Sequence, residues 1–403
     1  MRVDVMVIGA GAAGMAATLK AKEEGAEVLL VERDERTGGI LNQCIHNGFG
    51  LHYFRQELTG PEYAERFQEK MEKIGIRALT NAYVKRVEDR RVILVTEQGI
   101  EEVEVGALVY TTGARERPFG SLMIPGDRPS GIFTAGVAQR LINIENRLPG
   151  KRALILGSGD IGLIMARRLT LEGMEVVGVV ERLPYAGGLL RNVIQCLEDY
   201  NIPLYLSSTV VEVRGRERLE EVVVAKLDEQ FRPIPGTERV FKVDTLVLSV
   251  GLIPQVELIE NLVVKNPTSR GVGVSNIGQT SRDWIFSAGN CTVIFDLVDY
   301  VSYEGETAGR YAAKFVKGEI PREKIPVRPG KNVMVVHPIW YTPAEPLTLY
   351  LRVKKPMEKG RLVVGRFARE FEDLVPSEML RVKISDRDLE GLDEIVVSVE
   401  EVN

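Results

Sequence analysis

Two hexapeptides in this chain have the residue types and spacing to hold a pyrophosphate: Gly9-Ala10-Gly11-Ala12-Ala13-Gly14 and Gly157-Ser158-Gly159-Asp160-Ile161-Gly162. At this spacing the first glycine permits a tight turn and the second lets backbone approach a phosphate. The third lets the following helix pack against the preceding strand. The phosphates then meet free N–H groups at the positive end of the helix dipole. An acid stands at the matching place beyond each turn, Glu32 and Glu181, where a carboxylate can accept the ribose hydroxyls of an adenosine. An acid there favours a free 2′-hydroxyl, hence NAD(H) over NADP(H) at the second turn. Arg182 follows directly and is the residue that would argue for a 2′-phosphate. The bland alternative for the second turn is a structural relic without a ligand.

Other reactive side chains are few. Cys44 and His46 sit two residues apart, a spacing compatible with a thiol whose pKa an imidazole lowers for peroxidatic or mixed-disulfide chemistry. The competing and favoured reading is that Cys44 is a small residue lining a pocket. Cys196 and Cys291 read as packing residues, His52 as part of a loop, and His337-Pro338 as a strand-end turn. Three histidines and three cysteines without a cluster give no expectation of a metal site.

These residues need elements to position them. Val3–Ile8 reads as a buried strand, Met15–Glu24 as a helix and Glu27–Val31 as the next strand. The same grammar returns as Ala153–Leu156, Leu163–Glu172 and Glu175–Val180, an internal duplication. Each copy is followed by a small β-meander. The first is Tyr83–Val87, Val92–Thr96 and Glu101–Val105, closing on the buried run Ala107–Tyr110. The second is Val210–Val213, Glu221–Leu227 and Arg239–Val243, closing on Thr245–Val250. Arg322–Gly330 reads as a linker, and Val333–Val336, Leu347–Val353, Leu362–Val364 and Glu394–Val399 as a small β-rich appendage.

Composition agrees with a globular α/β chain: 403 residues, 44% apolar and 27% charged. A net charge of −5 gives no basic footprint for nucleic acid or anionic lipid. No apolar run approaches the ~18 residues of a membrane span. A strand beginning at Val3 leaves no room for a signal peptide, so the expected location is the cytoplasm.

With both turns in place, the chain resembles the two-dinucleotide flavoproteins that include thioredoxin reductase, NADH oxidases and glutathione reductase. Further segments carry the resemblance. Thr111-Thr112-Gly113-Ala114 resembles the exit from the flavin domain, and Gly251-Leu252-Ile253-Pro254 the return from the nicotinamide domain. Ile285-Phe286-Ser287-Ala288-Gly289-Asn290 resembles the second flavin motif, with Asn290 in place of the usual Asp. The Tyr300–Phe315 stretch would be the helix whose N-terminus stabilises charge on the reduced flavin.

The resemblance implies two Rossmann-like domains with meander insertions and a β-rich appendage. FAD would be held by residues 1–116 and 251–321, NAD(P) by 117–250, and the small domain would be 331–403. It also implies FAD contacts from Gly9, Gly11, Ala12, Ala13, Gly14, Glu32, Arg33, Gly39, Val84, Thr112, Gly113, Gly289 and Asn290. The nicotinamide contacts would come from Gly157, Gly159, Asp160, Ile161, Gly162, Glu181 and Gly251.

The departures narrow the function. Leu41 and His46 stand where disulfide reductases of this kind carry a cysteine pair, and no Cys-x-x-Cys occurs in the second domain. The expected activity is hydride transfer between NAD(H) and FAD without a redox disulfide. Electrons would pass to or from a partner dehydrogenase, a quinone or oxygen. The Gly39–Gly50 and Glu57–Pro61 segments resemble partner subunits of glycerol-3-phosphate or amino-acid dehydrogenases. Two alternatives follow: a non-catalytic FAD-bearing partner subunit, and a Cys44-dependent NADH oxidase, peroxidase or CoA-disulfide reductase. An oligomer is expected in either case.

Overall fold

A computed structural model describes residues 1–402. The chain forms two compact units, one from Met1–Ala114 together with the chain from Ile253 onward, the other Arg115–Leu252.

The first unit is built on a sheet ordered Val28–Val31, Arg2–Ile8, Gly99–Tyr110, Arg91–Thr96, Tyr83–Glu88, with Ile285–Ser287 joined to the far end of Gly99–Tyr110. The first three strands and Ile285–Ser287 run parallel, and the other two turn back antiparallel. Alternation along Arg2–Ile8 sends Val5 and Val7 to one face and Met6 and Ile8 to the other, each into its own core. Helices Ala12–Glu23, Gly60–Lys73 and Val298–Val316 contribute to the core on the Val5 face. The Gly60–Lys73 helix starts on a capping box in which the Thr59 and Glu62 side chains each bond the other's backbone N–H.

Small residues set the distance between two of these helices. A Cβ on Gly305 would lie 2.3 Å from Ala13 O, and one on Gly309 2.1 Å from Ala17 O. The Val298–Val316 helix therefore lies almost backbone to backbone on the helix that follows the first glycine turn.

The second unit repeats the plan. Its parallel sheet runs Leu204–Tyr205, Glu175–Val180, Arg152–Leu156, Thr245–Leu248, Ile132–Thr134. The Asp160–Leu171 helix covers one face, and an antiparallel sheet of Ser208–Arg214, Glu221–Lys226 and Arg239–Lys242 shares a core with the other.

Three boundaries differ from expectation. Glu101–Val105 and Ala107–Tyr110 are one strand, Gly99–Tyr110, because its first half pairs antiparallel with Arg91–Thr96 and its second half parallel with Arg2–Ile8. Gly106 passes through the join, where a Cβ would come 2.7 Å from Asp4 O. The supposed linker contains the strand Ile325–Pro329, whose Val327 is buried and which pairs with Ile395–Glu401 and Trp340–Tyr341. The appendage also holds three unanticipated strands, Trp340–Tyr341, Phe367–Leu374 and Leu380–Ile384. Phe367–Leu374 is mostly exposed and polar, so its sequence lacks the apolar alternation that marks a strand.

Candidate cofactor sites

Each glycine turn has the same three-part geometry. Gly9 has φ 95° and Gly157 has φ 104°, backbone that residues with a Cβ rarely adopt. A Cβ on Gly14 would lie 1.7 Å from Gly9 O, and one on Gly162 would lie 2.2 Å from Gly157 O, so helix and strand touch there. The middle glycines are opposite in character. Nothing lies within 4 Å of a Cβ position on Gly11 or on Gly159. Open space above the N-terminus of a helix, bordered by main-chain N–H groups, fits a pyrophosphate.

The acids are buried and oriented. Glu32, 7% exposed, accepts from Ala10 N–H at 2.7 Å and from Asp34 N–H at 2.9 Å, one donor on each oxygen. Glu181, also 7% exposed, accepts at Oε2 from Ser158 N–H (3.0 Å) and Ser158 hydroxyl (2.7 Å), and at Oε1 from Leu183 N–H (2.9 Å). Each carboxylate is thus fixed beside the first x of its own turn.

A glycine pair closes over each turn. Gly38 N–H donates to Ala10 O at 2.7 Å, and a Cβ on Gly39 would lie 3.3 Å from Gly11 Cα. In the second unit Gly187 N–H donates to Ser158 Oγ at 2.8 Å, and Gly188 lies against Asp160. Both pairs begin six residues after the acid, at Gly38 and Gly187. That repeat is legible in the sequence, yet only its first copy entered the expected contacts. The Ser158 hydroxyl, fully buried and shared by Glu181 and Gly187, falls outside them as well.

The remaining residues of the expected sets occupy varied surroundings. Gly113 (φ 71°) and Gly251 (φ 96°) have open space at their Cβ positions, whereas Gly289 (φ 81°) faces Ala13 Cβ at 3.1 Å. Thr112 donates its hydroxyl to Gln255 O at 3.1 Å. The Asn290 side-chain oxygen accepts from Phe295 N–H at 3.1 Å, leaving its amide group as the donor for a ligand. Asp160 Oδ1 accepts from Leu189 N–H and the Asn192 amide, which ties it to the glycine-pair loop. Ala12 and Ala13 are buried in the first turn of their helix, and Val84 in the core beneath the meander. Arg33 and Ile161 are exposed.

Cys44 ends the short 3-10 turn Gly39–Gln43, and its thiol donates to Ile40 O at 3.3 Å. His46 Nδ1 lies 2.9 Å from Asn47 O, with its ring 5.0 Å from that of Phe49. Burial pushes the thiols of Cys196 and Cys291 up, consistent with packing roles. The main chain of His52 joins its loop to the Val298–Val316 helix: its N–H donates to Asp299, and its carbonyl accepts from Tyr303. His337 does more than end a strand. It is 1% exposed, and its Nε2 lies 3.2 Å from Glu304 of that helix.

Residues 3–307 match the pyridine nucleotide-disulphide oxidoreductase family. The chain belongs to this family. The matched stretch contains both glycine turns. Among its relatives, the HcnB component of the hydrogen cyanide synthase of Pseudomonas aeruginosa is 29% identical over 65% of this chain and 60% of its own length. An opine oxidase subunit of Agrobacterium tumefaciens is 31% identical over 63% of this chain and 53% of its own length. The chain thus spans little more than half of these relatives. The fold matches the thioredoxin reductase of T. acidophilum with a TM-score of 0.63 at 21% identity, over 78% of this chain and 98% of that one. Among the described residues of this family member, no helix is long and apolar enough to cross a membrane.

Proposed function

We propose that this oxidoreductase exchanges a hydride between NAD(H) and FAD and passes electrons to or from a partner dehydrogenase, without a redox disulfide. The observation that carries this reading is the pair of open glycine cradles, each backed by a buried, oriented carboxylate. When bound, the flavin and nicotinamide supply the redox chemistry. The chain's own part is to hold phosphates on main-chain N–H groups and ribose on Glu32 and Glu181, which fixes the reacting rings.

The preference for NAD(H) rests on charge. The buried Glu181 carboxylate repels a 2′-phosphate, and the Arg182 guanidinium is turned over the Phe231 ring, 5.1 Å from its centre. The dithiol-free reading rests on the cysteines. Cys291 is fully buried against Tyr110 O and Ala288 O, Cys196 is buried in the other unit, and Leu41 is buried beside Cys44's turn. Anaerobic titration of the purified protein with NADH tests the proposal. Bleaching of the flavin is expected, and flavin that stays oxidised overturns it.

A second reading, a partner subunit inactive by itself, is favoured by the relatives named as components of hydrogen cyanide synthase and opine oxidase. Copurification from the native host with a second flavoprotein, and turnover only in that complex, would select it.

A further inference from the structure

A cleft of about 410 Å³ lies between the Val298–Val316 helix and the sheet formed by Val333–His337, Leu347–Val353 and Leu380–Ile384. The dinucleotide turns do not line it, and its volume falls in the range of small-molecule sites. Its sheet wall carries Arg381 and Lys383, two residues apart on one strand and so on one face. Their cross-strand neighbours on that face are Tyr350 and Thr348.

Arg381 is held without a countercharge. Its guanidinium carbon lies 5.4, 5.3 and 6.0 Å from the ring centres of Tyr300, Tyr303 and Tyr350, and Nε donates to Tyr350 Oη at 3.3 Å. That bond uses one of five guanidinium donors. Among the described residues, neither Arg381 nor Lys383 forms an ion pair.

The helix wall carries the opposite charge. Glu304 meets the buried His337 ring at Nε2, 3.2 Å away. The ring's Nδ1 has no hydrogen-bond partner. Glu306 accepts from the neutral Tyr53 hydroxyl. The other two charged residues of the lining, Arg310 and Glu345, face each other at 3.7 Å. Two cations on one wall and two carboxylates on the other are left over.

We propose that this cleft binds a small zwitterion of the amino-acid type, its carboxylates on Arg381 and Lys383 and its ammonium group on Glu304 and Glu306. A plain anion would face the two glutamates, and a plain cation the arginine and lysine. Only a ligand with both charges meets complementary groups on both walls. The guanidinium fork suits a carboxylate in particular.

Isothermal titration of the full-length, FAD-loaded protein provides the test, with L-glutamate as probe. Glutarate serves as the analogue without the ammonium group, and 1,5-diaminopentane as the one without carboxylates. One-site saturable binding of L-glutamate is expected, with both analogues weaker by about tenfold or more. Arg381→Met and Glu304→Gln should each weaken L-glutamate about tenfold while flavin content stays the same. The exposed Lys383→Met keeps the test open should Arg381→Met fail to fold, and should weaken binding severalfold. No saturable heat from L-glutamate up to roughly 10 mM overturns the proposal. Equal binding of glutarate, or binding indifferent to Lys383→Met and Glu304→Gln, overturns it too.

Discussion

The two glycine turns share a backbone and differ in what their acids are tied to. Glu32 takes one N–H on each oxygen, whereas Glu181 takes three donors, two from Ser158 and one from Leu183. A carboxylate has about four lone-pair positions, so Glu32 keeps about two for a ligand and Glu181 about one. The Ser158 hydroxyl then carries the connection on to Gly187. The same residue at the same place in a motif thus keeps more free acceptor positions in the first copy and is a loop anchor in the second.

The largest expected effect comes from the glycines at which helix meets strand. A Cβ on Gly14 or Gly162 would stand far inside van der Waals contact distance of a carbonyl oxygen, 1.7 and 2.2 Å away. Such overpacking costs about 1–3 kcal/mol or more. Gly14→Ala should purify without flavin, while Gly162→Ala should keep flavin and lose its bleaching by NADH. Full flavin in Gly14→Ala, read from the absorption spectrum, would break the equivalence of the copies.

Next is Glu181→Ala. It should lower NADH affinity roughly ten- to a hundredfold, leave flavin content unchanged and narrow the gap between NADH and NADPH. Stopped-flow flavin reduction with each nucleotide measures this, and an unaltered preference would mean that the carboxylate is not at the ribose. Ser158→Ala removes only the hydroxyl bridge and should weaken NADH by about three- to tenfold, separating the anchor role from the ligand role.

A smaller effect separates the units by pH. In the first, Asp4 accepts a single bond, from Glu27 N–H. In the second, Asp244 accepts from Lys151 and Arg152 N–H and from the Thr245 hydroxyl. Burial by itself would raise the Asp244 carboxyl. The Arg152, Thr245 and Lys151 bonds, with the Arg218 charge, outweigh it and hold the carboxyl below its ordinary range. Its folded value therefore lies below its unfolded one. The stabilisation is complete above the unfolded value, about 3.9, and is lost as pH falls through the folded value. Asp244→Asn should lower the neutral-pH thermal midpoint by the equivalent of about 1–2 kcal/mol and flatten the acid limb. An acid limb of unchanged steepness would refute that role.

The smallest expected change is at Cys44. Cys44→Ser should leave NADH-dependent turnover within about twofold, because the proposed reaction uses no thiol. Loss of turnover would restore the thiol-dependent alternative.

Much of this was legible in the chain itself. Strand, turn, helix and acid are local, and glycine's missing Cβ fixes where backbone can bend or approach a phosphate. The motif therefore identified both turns and the family's fold class. The family resemblance likewise implied a helix over Tyr300–Phe315, which lies within Val298–Val316. The strand Ile325–Pro329 was not legible, because its prolines mimic a linker and only pairing with Ile395–Glu401 makes it a strand. Nor was the Glu304–His337 contact, between residues 33 apart that only the packing of sheet on helix brings together. The sequence by itself determined which backbone segments can cradle a dinucleotide, since that depends on residues adjacent along the chain. Tertiary structure alone decided what each charge faces, from the Ser158 donors on Glu181 to the tyrosine cage of Arg381. Those contacts join residues from separate elements, and no local spacing encodes them.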